Sequence, residues 1–180
     1  AGTMGTLPAP GGALLSQGAT DCFVSWWSAS GVLQSTRRIG GEGSCTINAV
    51  ALDQAGRVHA AGIFSGRINV SPTVLPPTAW EFTGPATSNS FVVQFGTSSE
   101  AAYAPRWWSF VGQISTSWPG VAIARDVGID ATGKVFVAGQ YTGYATVRAA
   151  GTSYIRGNSP GNYNVFVARF TAAGALLPTL

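Results

Sequence analysis

Histidine and carboxylate side chains are the residues of this chain that could transfer protons or bind a metal ion. The sequence has a single histidine, His59, and seven acidic residues. None lies in an HExxH, EF-hand or paired-carboxylate pattern, and the chain has no G-x-S-x-G, P-loop or dinucleotide-binding motif. A lone histidine inside the run "RVHAAG" is typical of a structural position. We therefore expect no catalytic residue, no metal site and no cofactor, and interpret the chain as not an enzyme.

Tryptophan side chains are the next candidates, because their flat faces could stack on sugar rings. Trp80 and Trp118 lie beside prolines or glycines in segments expected to be loops, and loops carry binding residues more often than the scaffold does. These two are the candidate ligand-binding residues. The tandem tryptophans at 26–27 and 107–108 fall in expected strands, where successive side chains point to opposite faces. Core packing is the favoured interpretation for them, and a sugar-binding platform is the alternative.

The balance of charge limits the class of partner. Hydrophobic residues make up 46% of the 180 residues and charged residues only 9%, and the net charge is +3. Arg37 and Arg38 are the one adjacent basic pair, whereas binding to nucleic acid or acidic membranes requires basic clusters. No apolar run is long enough to span a membrane. This composition indicates a surface that contacts other protein, or alternatively a secreted surface rich in Ser, Thr and Gly.

The sequence repeats itself. The stretch "LDQAGRVHAAG" (52–62) returns as "IDATGKVFVAG" (129–139). Three segments that contain Phe-Val recur in the same order, "DCFVSWW" (21–27), "NSFVVQF" (89–95) and "NVFVARF" (164–170). Self-similarity of this kind is the sequence signature of repeat architectures.

The repeated turns predict β-hairpins. Asp53 and Asp130 can open a turn by bonding a nearby backbone N–H, and Gly56 and Gly133 can adopt the positive φ that closes it. No segment keeps a 3.6-residue period, so almost no helix is expected. The pattern predicts ten strands, at about 21–27, 32–38, 47–53, 57–64, 90–96, 104–112, 121–130, 134–141, 164–170 and 175–179.

The ordered set "DCFVSWWSASGVLQSTRRIGGEGS…NAVALDQAGRVHAAGIFSG" resembles the bacterial beta-propeller repeat of the SBBP type. The resemblance covers nearly the whole chain. The middle unit departs from it, because "GTSSEAAYAPRWWSFVGQISTSWPG" (96–120) lacks the compact turn and carries an insertion. The resemblance implies extracellular or cell-surface repeat modules, often inside very long chains, and it implies no catalytic residues.

Four-stranded units at this period predict an all-β fold of tandem antiparallel propeller blades. The chain holds about two and a half of them: a half blade at 1–46 and blades at 47–120 and 121–180. Propellers have at least four blades, so the remaining blades are expected from the rest of a longer polypeptide, another copy or a partner. The opening "AGTMGTL" is typical of a mature or processed fragment.

Cys22 and Cys45 do not have metal-ligand spacing. Cys22 begins one predicted strand, and Cys45 lies just past the end of its hairpin partner. These two ends meet in an antiparallel pair, so a disulfide is geometrically reasonable. The alternative is two buried free thiols.

Three functions compete at this stage. The first, which the absence of chemical motifs favours, is a secreted, non-catalytic structural or protein-interaction module whose partners are other subunits or the rest of a longer chain. The second is a carbohydrate-binding propeller. The third is a propeller enzyme, which the single histidine and the turn-bound aspartates disfavour.

Overall fold

The computed structural model describes residues 6–9, 12–70, 81–83, 88–100, 102–112, 120–149, 152–156 and 161–178. In these ranges the chain is all-β, with antiparallel sheets and no helix. The strands are β1 (Thr6–Ala9), β2 (Gly12–Leu15), β3 (Cys22–Trp27), β4 (Leu33–Gly41), β5 (Cys45–Leu52), β6 (Val58–Phe64), β7 (Arg67–Asn69), β8 (Glu81–Thr83), β9 (Asn89–Phe95), β10 (Pro105–Gly112), β11 (Val121–Ile129), β12 (Val135–Thr142), β13 (Ala145–Ala149), β14 (Thr152–Arg156) and β15 (Asn164–Phe170).

The strands form a central sheet with a smaller sheet on either side. The central sheet has the order β14-β13-β10-β9-β6-β5, the N-terminal sheet β3-β4-β7-β8, and the C-terminal sheet β11-β12-β15, while β1 pairs only with β2. Within the central sheet, β5, β6, β9 and β10 are neighbours in chain order. In the C-terminal sheet, β11, β12 and β15 repeat the first three positions of that order.

Two hairpins pair with a strand that lies earlier in the chain, and not with the strands next to them in sequence. The β7–β8 hairpin lies between β6 and β9 in sequence, yet β7 pairs with β4. The β13–β14 hairpin lies between β12 and β15, yet β13 pairs with β10. The same arrangement therefore occurs twice. In each case a hairpin that follows an expected unit boundary, at 46 or at 120, joins a sheet whose pairing strand precedes that boundary.

The inner strand β9 of the central sheet is buried on both faces. Every residue of β9 is buried. Phe91, Val93 and Phe95 belong to a core shared with the N-terminal sheet, and Val92 belongs to a core shared with the C-terminal sheet. Side chains alternate between faces along a strand, so one strand supplies both cores.

Nine of the ten predicted strands lie within a few residues of observed strands. The expectation for 175–179 is wrong in part, because residues 175–178 make only an isolated bridge between Leu176 and Phe170, and residues 179–180 lie outside the described ranges. Pro178 has no backbone N–H to donate to a ladder. Six short strands were not predicted from the sequence, because they carry little apolar alternation: β1, β2, β7, β8, β13 and β14.

Candidate functional site

The first repeated turn, at Asp53, is held by its own side chain. Asp53 Oδ1 accepts hydrogen bonds from the backbone N–H groups of Ala55 and Arg57, both at 2.9 Å. The N–H of Gly56 bonds to the carbonyl of Asp53, and Gly56 has φ of +77°. The turn therefore joins β5 to β6 and leaves Asp53 Oδ2 available for a second contact.

The second repeated turn has the same geometry. Asp130 Oδ1 accepts from the N–H groups of Thr132 at 2.8 Å and Lys134 at 2.9 Å, and Gly133 has φ of +78°. Hydrogen bonds from the Thr132 side chain and the Lys134 N–H hold the pKa of Asp130 below its ordinary value. In both turns the aspartate has a structural role.

His59 is the centre of a buried polar cluster between the central and C-terminal sheets. Its ring is fully buried. Nε2 lies 3.1 Å from Gln94 Nε2 and 3.6 Å from Asp53 Oδ2. Gln94 Nε2 also donates to the Ala172 carbonyl at 3.4 Å, and the Trp107 ring packs edge-on against the imidazole at 5.8 Å.

The charge state of His59 follows from this burial. Removal of water from the ring lowers the pKa of His59 below its ordinary value of 6.5, although Asp53 opposes the shift. The imidazole is therefore neutral near pH 7, and Gln94 is the hydrogen-bond partner of its Nε2.

An ion-pair group lies beside this cluster. Glu100 Oε1 lies 2.6 Å from Arg57 Nη2 and 3.0 Å from Arg106 Nη1. The hydrogen bond from Arg57 is the main cause that lowers the pKa of Glu100 to about 2. Glu100 Oε2 also accepts from the N–H of Thr97, so the carboxylate ties the β9–β10 connection to the first turn.

Cys22 and Cys45 form a disulfide with Cα atoms 5.4 Å apart. It joins the start of β3 to the start of β5, and both residues lie in the core between the N-terminal and central sheets. The backbone N–H of Cys45 also donates to the Thr20 carbonyl at 2.8 Å. The disulfide therefore links two sheets.

The aromatic candidates divide into two groups. Trp80 and Trp118 lie outside the described residues. Trp26 packs against Phe95 and Tyr103, and Trp107 is buried, with its Nε1 donating to the Ala172 carbonyl at 3.1 Å. Trp108 packs against the other core. Trp27 alone of these two pairs is largely exposed.

A second repeated pair of residues was not singled out from the sequence. Asp21 and Asn89 hold the same place before the Phe-Val strands, and each side chain crosses a glycine of the next strand. A Cβ atom at Gly40 would lie 2.2 Å from Asp21 Oδ1, and one at Gly112 would lie 2.1 Å from Asn89 Oδ1. The signal that could have found the pair is the recurring D/N-x-F-V, combined with a glycine late in the following strand.

Asp21 makes a buried ion pair at this position. Arg38 Nη1 lies 3.0 Å from Asp21 Oδ2, and both side chains are almost fully buried. The same carboxylate oxygen accepts from the N–H of Gln17 at 2.8 Å. The pair fastens β4 to the segment before β3, so its described contacts are structural.

Matching positions of the repeat differ strongly in exposure. Val92 in β9 is 2% exposed, because the C-terminal sheet covers it, whereas its counterpart Val167 in β15 is 51% exposed and the neighbouring Val165 is 78% exposed. On the other face of the central sheet, Val50 in β5 is 56% exposed, whereas its counterpart Val127 in β11 is 5% exposed. Both exposed surfaces therefore carry apolar side chains whose counterparts are buried between sheets.

Comparison of the chain with protein-family models, curated proteins and solved structures finds no match. No group of three or more His, Cys, Asp or Glu side chains in the described part of the chain could hold a metal ion. The described ranges contain no helix with the length and apolar character needed to cross a membrane.

Proposed function

We propose that this chain is a non-catalytic, extracellular structural or protein-interaction module built of β-propeller-type repeats. It works within a larger chain or complex, where further repeat units cover its outer faces. The observation that carries the proposal is the difference in exposure between matched positions. Val165 and Val167 are open to solvent, whereas Ser90 and Val92 are covered.

The inter-sheet contact in the molecule supplies the pattern for such a contact. The N–H of Ala124 donates to Ser90 Oγ at 2.6 Å, and Asn48 Nδ2 donates to the Ala124 carbonyl at 2.6 Å. The small side chains of Ala122 and Ala124 let β11 approach the central sheet closely and are fully buried there. A strand with small side chains like those of β11 would pack over Val165 and Val167 in the same way.

The location and the absence of an active site have separate support. The Cys22–Cys45 disulfide suits an oxidising compartment. His59 is enclosed between two sheets, and Asp53 and Asp130 serve turns. Trp80 and Trp118, on which the carbohydrate-binding alternative depends, lie outside the described residues.

The test is the mass of the native particle. Mass photometry, combined with intact-mass spectrometry of the same sample, should show the chain inside a larger polypeptide or a stoichiometric complex. A stable native monomer of 18.5 kDa would contradict the proposal.

A further inference from the structure

One edge of the N-terminal sheet pairs with no described strand. β3 is the outer strand of that sheet. Its counterparts have a partner on the matching edge: β9 pairs with β6 along its whole length, and β15 pairs with β12 in the same way. An open edge presents a row of backbone donors and acceptors that can pair with another strand. The described strands leave this edge of β3 available.

The side chains of the matched strands identify what pairs with a strand of this type. Phe91 lies opposite Gly62 in the ladder between β9 and β6, and Phe166 lies opposite Gly139 in the ladder between β15 and β12. A Cβ atom at Gly62 would lie 3.0 Å from the Phe91 ring, and one at Gly139 would lie 2.7 Å from the Phe166 ring. The glycine thus makes room for the phenylalanine.

Phe23 is the phenylalanine of β3 that matches Phe91 and Phe166, and no described strand places a glycine opposite it. Its exposure is 42%, compared with 3% for Phe91. Val50 and Leu52 are also largely exposed, whereas their counterparts Val127 and Ile129 pack in a core with the small residues of β5. An added two-stranded hairpin would meet both needs: its second strand would pair with β3, and its first strand would cover Val50 and Leu52.

We propose that the free edge of β3 binds a β-hairpin of the same type as β5–β6 and β11–β12. The partner is a separate polypeptide segment whose strands are joined by a D-x-x-G turn and whose second strand places glycine opposite Phe23. A second copy of this chain is not the occupant, because both of its hairpins of this type are already paired within their own sheets. This inference rests on the proposed function.

The test supplies the hairpin within one polypeptide. A second copy of residues 121–142 is joined by a flexible Gly/Ser linker to the start of the full chain, because a tether raises its effective concentration. We expect amide hydrogen exchange at those N–H groups of Cys22–Trp27 that face away from β4 to slow by at least about tenfold relative to the chain without the addition, since these groups become hydrogen-bonded to the added strand. Unchanged exchange in a folded fusion protein overturns the proposal.

Two substitutions separate this contact from a general effect of the fusion. Phe23→Ser in the fusion protein should abolish the added protection of β3. Tyr163→Ser, which changes another largely exposed aromatic residue, should leave the protection intact. Each variant is also measured without the added hairpin, which shows whether β3 itself still folds. Loss of protection in both fusion variants, or in neither, counts against the proposal.

A cross-link tests the register. Val93 lies opposite Ala60 and Ala168 lies opposite Val137, so the pattern places Ser25 opposite position 137 of the added hairpin. Ser25→Cys should form a disulfide with Val137→Cys in the added copy, and not with Gly128→Cys, which lies in the other strand. Equal trapping of both would contradict the proposed pairing.

The two proposals can fail separately. If the hairpin leaves β3 unprotected while the native particle is a large assembly, this inference is wrong and the proposed function stands. If the hairpin protects β3 while the native particle is a monomer, the inference stands and the proposed function is wrong.

Discussion

At the scale of single residues, hydrogen-bonded polar side chains fix the backbone of this protein. Asp53 and Asp130 hold the repeated turns, Asp21 pairs with Arg38, and Asn89 crosses Gly112. His59 is the buried group whose charge could change near neutral pH. A buried polar group that lacks good partners is costly, so each of these sites has a measurable effect on stability.

His59 should make the folded state sensitive to mild acid. Burial lowers its pKa below 6.5, so the unfolded chain binds a proton that the folded chain resists. As the pH falls below about 6.5, the free energy of unfolding should decrease, by at most about 1.4 kcal/mol per pH unit from this residue. Urea unfolding of wild type and His59→Gln between pH 5 and 8 measures the effect.

In His59→Gln the free energy of unfolding should no longer show this decrease below about pH 6.5, whereas its dependence on the other titrating groups should be unchanged. Glu100, whose pKa is about 2 in the folded state, gives up its stabilising contribution only below about pH 4.5. The range chosen for the urea experiment therefore excludes it. An identical slope in wild type and variant would show that His59 does not cause the sensitivity.

Gly112 should not tolerate a side chain. A Cβ atom there would lie 2.1 Å from Asn89 Oδ1, so Gly112→Ala should destabilise the protein by about 1–3 kcal/mol through overpacking. Gly128 in β11 has open space around its Cβ position, so Gly128→Ala is the matched control and should cost little. Thermal unfolding of both variants checks the difference. Similar losses would mean that the contact with Asn89 does not set the requirement for glycine.

At the scale of elements, the β5–β6 and β11–β12 hairpins carry the strongest sequence signal, and the β7–β8 and β13–β14 hairpins carry the weakest. The D-x-x-G turn contains its own side-chain acceptor and its own glycine, so local chemistry is enough to specify it. The β7–β8 and β13–β14 hairpins are short and pair with strands distant in sequence. Their position depends on where the preceding sheet ends.

The disulfide is the element-scale link whose removal should have the largest effect. The Cys22→Ala/Cys45→Ala double variant should lose about 3 kcal/mol, because the cross-link restricts the unfolded chain. Urea unfolding measures the loss, and the double variant also serves as the control for added reductant. Reductant should lower the stability of wild type and leave the variant unchanged. Equal stability of the oxidised wild type and the variant would contradict this expectation.

At the scale of the whole molecule, three sheets pack in series and leave apolar side chains exposed. Val165 and Val167 lie on the C-terminal sheet, Phe23 lies on the edge strand of the N-terminal sheet, and Val50 and Leu52 lie on β5 of the central sheet. Exposed apolar patches are typical of interaction sites. Matching positions in the sequence relate these exposed side chains to buried counterparts, which show the kind of surface that would cover them.

Charges on the exposed end of β15 should affect assembly and not folding. Val165→Lys/Val167→Lys should change the free energy of unfolding of the isolated chain by no more than about 0.5 kcal/mol, because both side chains are exposed. The same variant should fail to enter the native particle in mass photometry. Val92→Lys, at the buried matching position, should instead prevent stable folding. Normal assembly of the double variant would remove this face from the interface.

The repeated turns, the main strands and the absence of helix from the described ranges were determined by the sequence alone, because short-range patterns of aspartate, glycine and alternating apolar residues specify them. The sequence could also propose the Cys22–Cys45 pair. The pairing of β7 with β4 and of β13 with β10, and the burial of His59 beside Gln94, were decided only by tertiary structure. Those contacts join residues far apart in the chain, and packing between sheets selects them. The exposure of Val165 and Phe23 was also decided by tertiary structure, since strands of similar sequence are buried or exposed according to which sheet lies next to them.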